Sequence, residues 1–155
     1  MCDESGSPIL FYSVSDKYGE FSNFAAFPIK VGGKMWPTSE HYFQAQKFTD
    51  SAHIKKIRNA RSPMEAARLG RSRKVPIKKD WEKSKDSVMH TAVSQKFAQY
   101  KELKELLIST GNRKLVEHTV NDDYWGDGGD GTGKNMLGRI LMTVREQLRS
   151  VECNS

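Results

Sequence analysis

The pattern of hydrophobic and polar positions along the chain predicts a mainly helical α+β domain. Short runs of β-branched and aromatic residues, near the start and near residue 116, are typical of strands. From residue 38 onwards apolar residues recur mostly every three or four positions, which indicates helices with one buried face. The predicted strands are 9–14, 27–31, 34–36 and 114–119, and the predicted helices are 40–48, 51–59, 63–70, 81–100, 102–110 and 137–151.

Turn and cap residues support these boundaries. Gly32-Gly33 supplies the positive φ angles that a two-residue hairpin turn requires. Ser62-Pro63 is a typical helix start, with a capping hydroxyl followed by proline at the first helical position. We expect that helix to end at Gly70, as a C-terminal glycine cap. Together these elements predict a helical core with a small β-sheet.

Length and composition predict one soluble domain. The chain has 155 residues, of which 37% are hydrophobic and 10% aromatic, enough to form a packed core. We expect a domain over residues 9–151, with a polar tail at 1–8 and a short one at 152–155. The sequence contains neither an apolar run of membrane-spanning length nor a secretory signal, and its two cysteines, Cys2 and Cys153, lie in the tails. These features predict a cytoplasmic protein without disulfide bonds, without a membrane association and without an obligate protein partner.

The charge distribution points to an anionic partner. The formal net charge is +6, and most of the excess lies between Lys55 and Lys85. Such a segment suits a phosphate ester, a nucleotide or a nucleic-acid backbone, although charged residues on helices more often form a solvated face. Arg58, Arg61 and Arg71 are the candidate phosphate ligands.

A glycine-rich segment follows residue 124. Residues 128–134 fit the first part of a P-loop, but Asn135 stands where a magnesium-binding hydroxyl is needed. The acidic spacing does not fit a calcium loop either. Trp125 and Asp127, set among glycines that permit close backbone approach, predict a ligand-binding loop, and an ordinary mobile loop is the alternative.

Glu40 and Lys47 form a second candidate. Seven residues apart on one predicted helix, they differ by about 20° in direction. They could form a structural ion pair, which the spacing alone favours because such pairs are common. They could also form a working pair, in which burial lowers the pKa of the amine so that it attacks as a neutral nucleophile while the carboxylate moves protons.

Two further features concern binding. The segment 18–24 sets aromatic residues around Ser22 and Asn23, so it could stack on a base and hydrogen-bond its edge, or be pinned to the core by its phenylalanines. The four histidines show no metal-ligand spacing, and no serine nucleophile motif is present. We therefore predict no metal site and no cofactor.

Several sequence blocks resemble the NADAR superfamily, including its YbiA-like members. The resemblance covers about residues 10 to 150 and shows no departure at the motif positions. The blocks that carry it are Phe21–Phe24, Trp36–Lys47, Ser62–Gly70, Trp81, Tyr124–Gly129 and Gly133–Gly138.

The resemblance implies an N-glycosidase that hydrolyses a bond between ribose and nitrogen. One branch of the family acts on ribosylaminopyrimidine phosphates of early riboflavin synthesis, and another removes ADP-ribose from guanine bases of nucleic acid. By resemblance, Lys47 attacks the anomeric carbon and forms a Schiff base, Glu40 is its partner, and Trp81, Trp125 and Asp127 line the site. The predicted catalytic residues are Lys47, Glu40 and Asp127, and the predicted substrate-binding residues are Phe21, Ser22, Asn23, Tyr42, Gln44, Trp81, Trp125, Gly128 and Asn135.

The basic segment tilts the prediction towards ADP-ribosylated nucleic acid, with the ribosyl-phosphate metabolite as the alternative substrate. A non-catalytic module that binds ADP-ribose or nucleic acid is the rival from another class. It would not need Lys47 together with Glu40, so the presence of both favours the enzyme.

Overall fold

The computed structural model describes residues 6–153, and the side chains of the last two of these are left out of the description. Parts of the predicted tails, residues 1–5 and 154–155, lie outside the described residues. The strands are β1 (Ile9–Phe11), β2 (Ile29–Val31), β3 (Lys34–Trp36) and β4 (Leu115–Glu117). The helices are α1 (Ser39–Ala45), α2 (Ser51–Arg58), α3 (Pro63–Arg71), α4 (Trp81–Gln99), α5 (Lys101–Ser109) and α6 (Met136–Cys153), with a short 3₁₀ helix at Gly19–Phe21.

The prediction of a mainly helical α+β fold is confirmed. The described strands form two small sheets rather than one: β1 pairs in parallel with β4, and β2 pairs antiparallel with β3. The hairpin turn has φ angles of 63° at Gly32 and 77° at Gly33, as the glycine pair predicted. The strands at the start and near residue 116 are shorter than expected.

The chain divides into two compact units. One comprises residues 23–96, and the other comprises the described residues before 23 and after 96. The division falls within the last turn of α4.

In the unit 23–96, α1 packs against both α2 and α3, and those two helices contact each other. Apolar side chains from the hairpin and from the helices form its core. That buried cluster consists of Ile29, Trp36, Ala45, Phe48, Ile57, Ala66 and Ala92.

Two helix ends differ from the prediction. The first helix ends at Ala45 rather than near Phe48, because Phe48 forms an antiparallel bridge with Ile77 and the Lys47 carbonyl accepts from the Lys78 amide at 2.7 Å. The expectation that Gly70 caps α3 is wrong, because the helix continues to Arg71 and Ser72 is its C-cap.

In the other unit, α6 packs on β4 and on α5, and β4 lies beside β1. The ring of Phe21 is buried with centroid distances of 5.7 Å to Phe11 and 5.9 Å to Phe97. This arrangement fits the interpretation of segment 18–24 as a loop held by its phenylalanine. A binding role for Phe21 or Ser22 stays a prediction.

Candidate active site

The predicted site residues are distributed over both units. Three of them, Glu40, Gln44 and Lys47, belong to the unit 23–96. Together with Gly70 and Arg73, which the sequence did not predict as site residues, they form the lysine cluster. The glycine loop consists of residues 121–135, including the predicted Trp125, Asp127, Gly128 and Asn135, and belongs to the other unit.

The N-terminus of α1 positions the carboxylate of the lysine cluster. The Thr38 hydroxyl caps the helix by accepting from the His41 amide at 3.1 Å, and it lies 2.8 Å from His41 Nδ1. Glu40 thus sits in the first turn, where the helix dipole favours negative charge, and its side chain is buried. One turn later, Gln44 Nε2 donates to Glu40 Oε2 at 2.7 Å. The carboxylate is consequently held in one orientation by its own helix.

Lys47 lies in the turn that follows α1. Its Nζ donates to the Gly70 carbonyl at 3.5 Å and lies 5.9 Å from the centroid of the Phe43 ring. That ring packs on the buried indole of Trp81, with a centroid distance of 5.2 Å. The amine therefore has an aromatic wall on one side and a carbonyl on another.

The pKa of Lys47 is lowered from 10.5 to about 8, and burial of the amine is the largest cause. The positive charges of Arg73 and Arg71 contribute to this lowering, and the carboxylates of Glu40 and Glu82 offset part of it. At pH 7 about one lysine in ten is then neutral, compared with about one in three thousand at the ordinary pKa. A larger neutral fraction makes an amine more nucleophilic, and a catalytic role for Lys47 stays a prediction.

The sequence predicted that Glu40 and Lys47 lie on one face of a single helix, and this prediction is wrong. It requires the helix to reach Lys47, but α1 ends at Ala45. The two charges nevertheless interact, since the Glu40 carboxylate raises the pKa of Lys47. The turn after α1, rather than a shared helix face, positions the amine.

Asn23 links the preceding loop to the first turn of α1. Its backbone carbonyl accepts from the Glu40 amide at 3.2 Å, and its side-chain oxygen accepts from Ser39 Oγ at 2.9 Å. Its amide nitrogen contacts Met89 Sδ at 3.1 Å. These contacts fix the backbone next to Glu40. A direct contact of Asn23 with substrate stays a prediction.

Tyr42 lies against the core of the same unit. Its ring meets Trp36 edge-on at 5.5 Å, and burial raises the pKa of its hydroxyl. The structure therefore gives Tyr42 a packing role, and its predicted contact with substrate is not tested.

The candidate phosphate ligands have three different surroundings. Arg71 is exposed and close enough to Lys47 to lower the pKa of that amine. Arg58 lies over the Trp36 ring at 5.9 Å. Arg61 lines an open depression of about 510 Å³ between α2 and α3, together with Lys56. Of the three arginines predicted from the sequence, Arg71 is the one that acts on the lysine cluster.

The glycine loop is held by the carboxylate of Asp127. One of its oxygens accepts from the amides of Thr119 at 3.1 Å and Gly129 at 2.8 Å, and the other accepts from His118 Nδ1 at 2.8 Å. Burial alone would raise the pKa of Asp127, but these hydrogen bonds outweigh it and the net pKa is lowered. Gly128 follows with a φ of 74°, which favours glycine. The carboxylate thus orders its own loop.

Asn135 closes the glycine loop onto β4. Its side-chain oxygen accepts from the Glu117 amide at 3.0 Å, and its nitrogen donates to the Leu115 carbonyl at 2.9 Å. Trp125, held edge-on to Tyr124 at 4.9 Å, is only partly buried. The roles of Asn135, Trp125 and Gly128 in substrate binding stay predictions.

The His118–Asp127 pair was missed by sequence reasoning. His118 follows β4, and its side chain is 47% exposed, whereas that of Asp127 is 7% exposed. The two residues are nine positions apart in irregular chain, so no helix or strand period could have linked them. The sequence contains one signal for this pair: an aspartate in a glycine-rich loop that begins shortly after a histidine at the end of a strand.

Within residues 6–153, no group of three or more histidine, cysteine, aspartate or glutamate side chains could hold a metal ion. The described helices also include none that is long and apolar enough to cross a membrane.

Residues 10–149 match the model of the NADAR domain, and the chain belongs to the NADAR family. The chain is 62% identical over 140 residues to the N-glycosidase YbiA of Escherichia coli strain K12, covering 90% of this chain and 88% of that protein. The NMR structure of E. coli YbiA matches it with a TM-score of 0.92 and 57% identity, over 99% of this chain and 91% of that one. It is also 44% identical over 142 residues to the riboflavin biosynthesis protein VVA0006 of Vibrio vulnificus, over 92% of this chain and 39% of the relative. The resemblance seen in the sequence is confirmed.

Proposed function

We propose that this chain hydrolyses the bond between ribose and a base nitrogen through an imine on Lys47, and that its substrate is guanine of nucleic acid bearing ADP-ribose. At the coarser level, the chain is an N-glycosidase, a hydrolase of N-glycosyl bonds, like the YbiA proteins to which it is similar. The observation that carries the mechanism is the lowered pKa of Lys47, whose amine lies among Phe43, Gly70 and Arg73 with Glu40 in electrostatic reach.

The reaction starts with cleavage of the ribosyl C–N bond. The electron pair of that bond moves to the base, which leaves with a proton, and the sugar carbon becomes oxocarbenium-like. The neutral amine of Lys47 attacks this carbon and loses a proton, for which the buried Glu40 carboxylate is the acceptor in reach.

Hydrolysis then restores the enzyme. The ring oxygen leaves the sugar carbon and takes a proton, which produces the protonated imine. Water adds to the imine carbon and one of its protons passes to Nζ; the bond to Nζ then breaks as the new hydroxyl loses its proton, and ADP-ribose is released in its open-chain aldehyde form. The net change is consumption of one water and formation of one base and one sugar.

Asp127 is the third predicted catalytic residue. Because both of its oxygens already accept hydrogen bonds from His118 and the glycine loop, we propose that it contributes by ordering the loop that carries Trp125. The predicted stacking of a flat ring on Trp125 belongs to the same proposal, and the buried indole of Trp81 supports the Phe43 ring beside Lys47.

A second substrate class is favoured by one of the relatives. The V. vulnificus protein is named a riboflavin biosynthesis protein. The ribosylaminopyrimidine phosphates on which one branch of the family acts contain the same kind of bond between ribose and nitrogen. The basic segment supports the first class, because a nucleic-acid backbone or a diphosphate is attracted by clustered lysines and arginines.

The test offers the purified protein two substrates, a guanine-ADP-ribosylated oligonucleotide and 5-amino-6-ribosylaminouracil 5′-phosphate, with and without borohydride. We expect turnover of the oligonucleotide and a reduced sugar adduct on Lys47 by mass spectrometry. Lys47→Ala and Lys47→Arg should both be inactive, because neither side chain forms the imine. Lys101→Ala, at an exposed position of α5, serves as the control.

The outcomes separate the hypotheses. Turnover of the pyrimidine alone selects the metabolite as substrate. Turnover without an adduct, or turnover by Lys47→Arg, excludes the imine. Tight ADP-ribose binding without cleavage of either substrate leaves the non-catalytic binding module.

A further inference from the structure

We infer that Gly70 is a positioning residue that fixes the Lys47 amine and the Glu40 carboxylate relative to each other. The inference rests on the proposed roles of Lys47 and Glu40 and assigns the residue that couples them. Gly70 lies in the last turn of α3, on a helix that packs against α1, and it is buried.

The carbonyl of Gly70 holds the amine. It accepts from Lys47 Nζ at 3.5 Å and from an Arg73 guanidinium nitrogen at 3.0 Å. One backbone oxygen therefore receives two cationic donors, and it keeps the Arg73 charge beside Lys47. That charge is one of the influences that lower the pKa of the amine.

The absence of a side chain at Gly70 leaves space for Gln44, which in turn positions the Glu40 carboxylate. A Cβ atom built at this position would overlap Gln44 Oε1 and lie 2.6 Å from Gln44 Cδ. The Gln44 amide thus occupies the space that a side chain would fill, and from there its nitrogen donates to Glu40 Oε2 at 2.7 Å. The position of the carboxylate depends on this space.

The Gln44 oxygen supports a functional reason for this packing. It is buried without a hydrogen-bond partner, an arrangement that costs stability. The opposite orientation of the amide would direct its oxygen at the Glu40 carboxylate. In the observed orientation Gln44 donates to the Glu40 carboxylate, although its own oxygen is left without a hydrogen-bond partner.

Gly70 does not serve as a helix cap. It has an ordinary helical backbone inside α3, where alanine is intrinsically preferred over glycine. The two atoms that an added methyl group would overlap, Gln44 Oε1 and Cδ, belong to the far end of a flexible side chain, and the next atom, Gln44 Cβ, lies 3.0 Å away. Gly70→Ala should therefore relieve the overlap by displacing Gln44, at little cost to the stability of the fold.

The test is a double-mutant cycle of Gly70→Ala and Gln44→Ala, assayed on the substrate that the protein turns over. We expect Gly70→Ala to lower kcat by about 10- to 100-fold with a smaller change in KM, because proton transfer by a positioned group contributes about 10²- to 10⁴-fold. Its melting temperature should stay at or above that of the wild type. The double variant should be no less active than Gln44→Ala, because the two atoms that the methyl group would overlap, Gln44 Oε1 and Cδ, are absent from alanine.

A second readout is independent of activity. In the wild type, the side-chain amide protons of Gln44 should exchange slowly in NMR spectra, and the signal is identified by its loss in Gln44→Ala. Faster exchange in Gly70→Ala supports the inference. Unchanged exchange, wild-type kcat, or losses that multiply in the double variant would overturn it.

The same experiment includes Lys47→Ala with borohydride trapping. An active Lys47→Ala variant contradicts the proposed function itself. An inactive Lys47→Ala variant beside a fully active Gly70→Ala variant contradicts only the role of Gly70.

Discussion

Replacing Lys47 by methionine should stabilise the protein at neutral pH while it abolishes activity. The fold lowers the pKa of this amine from 10.5 to about 8, so it disfavours the charged form that predominates at pH 7. A methionine of similar length places its end beside the Phe43 ring, where Lys47 Nζ lies 5.9 Å from the ring centroid, and carries no charge. Activity and stability therefore oppose each other at this position.

The magnitude follows from the two pKa values. Their difference corresponds to about 3.4 kcal/mol between the charged and neutral forms. Because the side chain is only partly buried, solvent screening reduces the effect to about 1–2 kcal/mol. The penalty is fully present below pH 8. Between pH 8 and 10.5 the unfolded chain binds more protons than the folded one, so the wild type regains stability as pH rises.

The assay is urea unfolding of wild type and Lys47→Met at intervals from pH 6 to pH 11, followed by tryptophan fluorescence. The difference in unfolding free energy should be largest below pH 8 and shrink by about 1–2 kcal/mol by pH 10.5. Lys101→Met, at an exposed position, controls for the loss of one positive charge. A difference that does not change with pH, or a variant less stable than the wild type at pH 7, would refute the lowered pKa.

Substitutions at three positions test the glycine loop and its attachment. Asp127→Asn should lower the unfolding free energy by about 1–3 kcal/mol at pH 7. Because the pKa of Asp127 is lowered in the fold, the unfolding free energies of wild type and variant should converge as the pH falls below 3.8, which acid titration monitored by circular dichroism can check. Asn135→Ala should cost about 2–4 kcal/mol in urea unfolding, from two lost hydrogen bonds and a φ of 53°, and Asn135→Gly should cost less because glycine tolerates that φ. Gly138→Ala should lower the melting temperature strongly, since a Cβ there would overlap the backbone carbonyl of Leu115; a melting temperature equal to the wild type would contradict the packing of α6 on β4.

Local signals predicted most of the helices and the hairpin. The Ser62 cap and the Gly32-Gly33 turn were correct because each depends only on the conformations of adjacent residues. Helix ends that depend on residues far along the chain were predicted incorrectly. The first helix stops at Ala45 because Phe48 pairs with Ile77, and no local feature of that segment announces the pairing.

The candidate site shows the same division. The residue types of Glu40 and Lys47 within a recognisable block predicted an amine and a carboxylate that interact. Gly70, in contrast, was predicted as a cap because glycine often ends helices, and its contact with Gln44 depends on how α3 packs against α1. The His118–Asp127 pair likewise requires the folded loop.

The sequence by itself determined the class of fold, the family, and the side chains that can do chemistry, because these depend on residue type, short-range periodicity and motif order. Only the tertiary structure decided how reactive those side chains are. The pKa of Lys47 is lowered by burial and by Arg73 and Arg71, which are brought beside it by the packing of separate helices. Desolvation and charge proximity are properties of three-dimensional neighbours, and the order of residues along the chain does not contain them.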